Sequence, residues 1–189
     1  MSTREKIINA AFQLFSTKGY LGTTTKEIAQ LANVSEVTVF RHFKTKENIF
    51  DAVIQTKSFL PNLKSLIPKI SSLSLKDALI EIALEYTKTL ISKKGAIKIF
   101  FSEVDRYPNR IRESHNALVD EMDRILTDFL MSKLSKYDEE DLKTITKMFW
   151  FMIFGYFLEN EIIKNESLDL NTLRSVYEKK IDFFLKGIL

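Results

Sequence analysis

The sequence predicts an all-α chain: an N-terminal three-helix helix-turn-helix domain followed by a larger antiparallel helical domain. Three observations predict it. Only three prolines and five glycines interrupt 189 residues. Apolar residues recur at the spacing of buried helix faces, and no run alternates apolar and polar residues for long. The first 50 residues divide into short helical segments behind polar caps, and the later segments lengthen.

Ile8, Ala11, Phe12 and Phe15 follow the i, i+3, i+4, i+7 pattern of one buried face, which gives the first helix. Gly19-Tyr20-Leu21-Gly22 ends it. Thr24-Thr25-Lys26-Glu27 carries the Ser/Thr-x-x-Glu pattern of a capping box, with Ile28, Ala29 and Leu31 as core contacts behind it. Asn33 marks a turn. Ser35 caps a third, short helix through Phe40 and Arg41. Thr45 caps a fourth that begins at Lys46. Pro61 and Pro68 bracket an irregular stretch, read as the seam between domains. Beyond it, helices are expected over 75–93, 95 to about 106 (stopped by Pro108), 110–136, 141–164 and 170–187. The division is therefore 1–50, with a linking helix to about 60, and 61–189.

Hydrophobic residues make up 45% and charged residues 28%, enough apolar material for a sizeable core. Cysteine is absent, which excludes disulfides, a thiol nucleophile and a Cys-based zinc site. The two histidines, His42 and His115, stand far apart, so no metal site is expected, and His115 reads as a surface residue. No nucleophile–base set, paired-acid constellation or Gly-rich phosphate loop stands out, so neither an enzyme nor a cofactor is expected. No apolar run approaches the ~18 residues of a membrane span, and the N-terminus lacks a signal-peptide core. The expectation is a cytoplasmic protein that makes no use of a membrane. Residues 1–58 hold eight Lys/Arg against five Asp/Glu, and the remainder is balanced, so the whole +3 excess lies in the first third. That asymmetry suits a polyanion.

The segments 25–32 and 35–41, joined by a short turn, have helix-turn-helix spacing, in which the second helix enters the DNA major groove. Ala29 is small enough for the two helices to approach. Asn33 tolerates the positive φ such a turn requires. Val34 and Val39 plug the core beneath. Gly19-Tyr20, Thr23-Thr24-Thr25, Ile28-Ala29, Val34-Ser35, Phe40-Arg41-His42-Phe43 and Lys46-Glu47 together resemble the signature of the TetR family of bacterial regulators. The resemblance covers about the first 50 residues. It implies a dimer that binds a palindromic operator in double-stranded DNA and is released by a small molecule, with the second domain regulatory. Three positions depart from the family pattern: Asn33 stands in place of Gly, Phe40 in place of Tyr, and Glu36 opens the recognition helix where small or neutral residues are usual.

Thr24 or Thr25, at a helix N-terminus, can meet a phosphate. Lys26 reaches a base or a phosphate, and Ser35 caps the reading helix. Glu36, Val37 and Thr38 are the expected base readers; Glu36 alternatively serves the helix dipole. Phe40 lacks the hydroxyl that a Tyr would offer to a phosphate. His42 and Lys46 are expected phosphate clamps, and Arg41 faces DNA or solvent.

Residues 148–157 hold six of the chain's 22 aromatics, distributed all round a helix. Such a helix is buried on several sides, against its own core and against a twin subunit or a ligand. Phe100, Phe101, Glu103 and Tyr107 form a second cluster, expected to line one cavity with Trp150 and Phe154 and to take a small apolar effector. Glu103 is either exposed or answers a polar or cationic group on that effector. A homodimer is expected through 141–164 and 170–187, with reading heads ~34 Å apart. In the last segment Leu170, Leu173, Tyr177, Ile181, Phe184 and Ile188 form a stripe that suits either a dimer seam or an internal one. The competing expectation is an architectural DNA-binding protein controlled by a protein partner, with no small ligand.

Overall fold

The computed structural model describes residues 1–188. Among them are ten α-helices and no strand: α1 (Thr3–Lys18), α2 (Thr25–Leu31), α3 (Glu36–Phe43), α4 (Lys46–Lys57), α5 (Leu60–Ile70), α6 (Leu75–Ser92), α7 (Lys94–Glu103), α8 (Asn109–Met131), α9 (Glu139–Phe157) and α10 (Leu173–Ile188). No helix among the described residues is long and apolar enough to cross a membrane.

Side-chain caps start the short helices. Ser2 and Glu5 form a reciprocal capping box at α1, and Thr24 and Glu27 form another at α2. Ser35 and Thr45 each accept from the N–H three residues on, at 3.1 and 3.2 Å. These caps satisfy donors that a helix N-terminus otherwise leaves unpaired.

The chain packs as two compact units. The first comprises 1–58 with 93–118, and the second 59–92 with the described residues from 119 onward. The division expected from the sequence is 1–50, with a linking helix to about 60, and 61–189; residues 93–118, which fall in the second part of it, pack here with the first unit. In that unit Ile7, Ala11, Phe15, Ile28, Val39, Phe43 and Ile49 are buried together with Tyr107 and Ile111. α1 is the hub, packed on α2, α4 and α7. In the second unit α6 is central and packs on α5, α9 and α10. The buried hydroxyls of Thr87 and Tyr177 share a hydrogen bond of 2.5 Å there.

Residues 60–70 are helical, not irregular. Pro61 lies in the first turn of α5, where its missing N–H has no helical partner to lose. Pro68 falls near the end, so it interrupts only the final turn. The expected helix 141–164 changes pitch: α9 ends at Phe157 and Leu158–Ile163 continue as a wider π-type turn. The stripe on α10 packs inward: Leu173, Tyr177 and Ile181 are buried, and Phe184 meets Phe149 at 5.9 Å. The internal seam therefore takes that stripe, and Leu170 lies exposed outside the helix.

Candidate nucleic-acid interface

α2 and α3 are joined by a turn whose geometry follows from one residue. Asn33 has φ +54°. Its N–H reaches Gln30 O at 3.1 Å, and the next N–H, of Val34, reaches back to Ala29 O at 3.0 Å. This pair of bonds is a Schellman ending, which needs a left-handed residue at the position Asn33 occupies. Beyond it Ser35 starts α3. Val39 and Phe43 face the core, while Val37 and Phe40 are 78% and 66% exposed. Val37, Phe40, Arg41 and Lys44 recur at i, i+3, i+4, i+7, so one face of α3 is exposed, apolar and basic together. Leaving two large apolar side chains in water forgoes about 1.5–3 kcal/mol each. A face that could cover thymine methyls and sugars recovers it.

The residues expected at this surface fall into two groups. Lys26, Val37, Phe40, Arg41 and His42 are exposed, the first beside the start of α2 and the others on α3. The remainder are engaged locally. Thr24 Oγ1 accepts from the Glu27 N–H at 3.2 Å, and the Glu27 carboxylate accepts from Thr24 N–H at 2.8 Å. Lys18, at 2.7 Å, and the Thr24 cap hold the Glu27 carboxyl down to about 2. The hydroxyls of Ser35 and Thr38 bond each other at 2.9 Å. Thr25 Oγ1 donates to Glu36 Oε1 at 2.6 Å, so this carboxylate links the start of α2 to the start of α3. Of the two roles read for Glu36, this contact favours the helix-terminus one.

Lys46 is held within the chain. Expected to clamp phosphate, its ammonium instead donates to Tyr20 O and Thr23 O, both at 2.9 Å, and lies 4.2 Å from the centre of the Tyr20 ring. Two carbonyls at the close of the α1–α2 turn replace water that the half-buried ammonium has lost. Burial lowers its pKa, partly offset by Glu47 and Glu103. Tyr20 completes the junction: its hydroxyl donates to Glu47 Oε1 at 2.8 Å, and its ring packs on Phe15, Phe50 and Tyr107.

Glu103 is buried and paired. Its Oε2 accepts from Tyr20 N–H at 3.0 Å, so α7 holds the turn that precedes the helix-turn-helix. Its partner is this backbone. Tyr107 is core to the first unit, Phe100 packs on it at 5.5 Å, and Phe101 is exposed. Trp150, in the second unit, contacts Tyr86, Phe149 and Phe59, and Phe154 contacts Phe157. The six residues expected around one cavity thus take their ring and backbone partners from two separate sets. His115 is half-buried against Phe100 at 4.8 Å and not on the surface, and burial lowers its pKa.

Sequence reasoning missed Lys44 and Arg110. Lys44 ends α3 at φ +65° and extends its exposed face; a basic residue directly after Phe43 was the available signal. Arg110 donates to Asn48 Oδ1 at 2.6 Å, and Ser114 donates to Asp51, which ties the start of α8 to α4. Nothing in the local sequence announces that pairing.

A family model described as bacterial regulatory proteins, tetR family, matches residues 7–53. YvkB of Bacillus subtilis (strain 168), an uncharacterized HTH-type transcriptional regulator, is 31% identical over 188 residues, which is 98% of this chain and 97% of the relative. IcaR of Staphylococcus aureus (strain Newman), the negative transcriptional regulator of the biofilm operon icaADBC, is 24% identical over 154 residues, 79% of this chain and 82% of the relative. Among solved structures, FadR from Bacillus subtilis in complex with stearoyl-CoA is similar in fold, with a TM-score of 0.76 at 19% identity, covering 93% of this chain and 95% of that one.

Proposed function

This chain belongs to the TetR family of bacterial transcriptional regulators, and from that premise we propose that it is a cytoplasmic repressor that binds a palindromic operator as a homodimer and is released by a small, mostly apolar ligand. The observation that carries the DNA part is the exposed face of α3. Val37 and Phe40 offer apolar contact, Arg41 and Lys44 offer charge, and His42 and Lys26 flank them. In this reading Val37 and Phe40 meet bases, Arg41 and Lys44 neutralise phosphates, and Thr24, Thr25, Ser35 and Thr38 shape the helix starts that approach the backbone. Lys46 acts indirectly, by holding the turn.

The dimer reading rests on α9 and α10. Met148, Phe151 and Gly155 recur at i, i+3, i+7 on the exposed side of α9, and Phe183 and Gly187 at i, i+4 on that of α10. A Cβ added at Gly155 or Gly187 would meet nothing within 4 Å in the single chain. Phe151 and Phe183 are 71% and 64% exposed, and an isologous contact between twins would cover both. Repression agrees with the role of IcaR as a negative regulator, and a ligand agrees with the stearoyl-CoA complex of FadR.

A hydroxyl-radical footprint on a fragment enriched from a randomised DNA pool tests the reading. Two protected half-sites about one helical turn apart, ~34 Å, are expected. A single protected segment, or a monomer in sedimentation at micromolar concentration, would remove it. Release of that fragment by no small molecule, but by a protein partner, would favour the architectural alternative.

A further inference from the structure

The first unit carries a second group of cations outside the helix-turn-helix. Residues 93–118 hold six Lys/Arg against three Asp/Glu, so folding them together with residues 1–58 doubles the +3 excess of that segment to +6. Arg110, at the start of α8, is the member of this group that reaches the reading helix. Its guanidinium donates to Asn48 Oδ1 at 2.6 Å, and Asn48 Nδ2 donates to Phe43 O, at the end of α3, at 2.7 Å. One amide thus spans the gap between Arg110 and the C-terminus of α3, directly before the exposed Lys44. Phe40 and Lys44 of the exposed face line one shallow hollow with Thr45, the cap of α4. Asn48 stands in the first turn of α4, and its N–H donates to that cap at 3.2 Å.

These contacts do not use up Arg110. Its side chain is 56% exposed. Asp51 Oδ2 lies 3.6 Å away, beyond hydrogen-bond distance, and the Asp51 carboxylate accepts from Ser114. A guanidinium has several N–H donors, so the bond to Asn48 fixes the side chain and leaves others facing solvent. Arg106 and Arg112 have no such link, because they donate to the Ser102 and Asp105 carbonyls of their own segment.

We propose that Arg110 binds a phosphate of the operator duplex at the flank of each half-site, and that Asn48 holds it in place. This rests on the reading of α3 as the DNA-reading helix and adds a contact from outside residues 7–53, the segment that the family model matches. A planar guanidinium pairs its parallel N–H groups with the oxygens of one phosphate, a geometry that a lysine ammonium does not offer. A long side chain already pinned at one donor also loses less freedom when it binds. The excess of +6 favours the approach of a polyanion to this unit as a whole.

Fluorescence anisotropy of the full chain on a fragment enriched from a randomised DNA pool, repeated over a series of salt concentrations, tests the contact. Arg110→Gln keeps a donor for Asn48 and removes the charge, and Arg110→Lys keeps the charge. Arg110→Gln should weaken binding several-fold and reduce the slope of log K against log salt by about 1. Arg110→Lys should keep the wild-type slope. Asn48→Ala should weaken binding with the slope unchanged, because the charge stays and only its placement is lost. Urea denaturation checks that each variant folds. A wild-type slope in Arg110→Gln, or the same loss of slope in Arg110→Lys, would overturn the proposal and leave Arg110 only as a tie between α8 and α4. A slope reduced by Lys44→Ala but not by Arg110→Gln removes this contact and keeps α3 as the reading helix, whereas a wild-type chain that binds no fragment overturns both.

Discussion

The Glu103 carboxylate accepts a hydrogen bond from the Tyr20 backbone N–H at 3.0 Å, across 83 residues of sequence. Around it the fit is close: Gly19 has φ +77°, and a Cβ there would come within 2.2 Å of Glu103 Oε1. α7 thus pins the turn that leads into the helix-turn-helix, and Lys46 pins the same turn from the start of α4. The turn before the reading helix is thus held from two sides, in addition to the caps that start α2 and α3.

Glu103→Ala leaves the Tyr20 N–H buried and unpaired. We expect a loss of about 1–3 kcal/mol in stability, measured by urea denaturation, with weaker DNA binding as a consequence. Gly19→Ala should be at least as damaging, because it adds both the clash and the strain of a positive φ. Stability unchanged in both variants would show that the turn does not depend on α7.

Lys46 and Lys44 should separate in a salt titration of DNA binding. Lys44→Ala should reduce the slope of log K against log salt by about 1, as expected when one phosphate is left without its cationic partner. Lys46→Ala should lower stability and affinity while the slope stays unchanged. The opposite pattern would return Lys46 to the role of phosphate clamp.

Asn33→Ala should destabilise the chain by about 1–2 kcal/mol, because alanine resists the left-handed conformation that the Schellman turn fixes. Asn33→Gly should fold with stability near that of the wild type, since glycine adopts that φ freely. Chemical denaturation of the two variants side by side checks the order.

Phe151→Asp places a charge on the exposed stripe of α9, where the single chain buries nothing. The variant should fold normally by circular dichroism, sediment as a monomer, and lose most of its operator affinity. A dimer that persists would move the interface away from α9.

What was legible in the sequence was local. Thr24, Ser35 and Thr45 announced their helices because a cap lies within three residues of the N–H it satisfies. Asn33 announced its turn because few residues tolerate its φ. The exposed side of α3 followed from the same spacing that buried Val39 and Phe43. Lys46, Glu103 and Arg110 were opaque for the converse reason. Their partners lie 23–26, 83 and 62 residues away, and the side chain alone does not say which acceptor or donor will face it. Pro61 and Pro68 misled because a proline reads as a breaker, although its position within a helix decides whether any bond is lost. The aromatic run at 148–157 showed that burial was needed without showing that Phe59 and Tyr86 would pack on Trp150.

Selection from a randomised double-stranded DNA pool tests the central claim, that the exposed face of α3 reads DNA. Wild-type protein should enrich a two-fold symmetric sequence, and Val37→Gln should shift the preferred bases within each half-site while leaving the spacing of the half-sites unchanged. Enrichment of the same sequence by both proteins, or of none by the wild type, would contradict the assignment of that face.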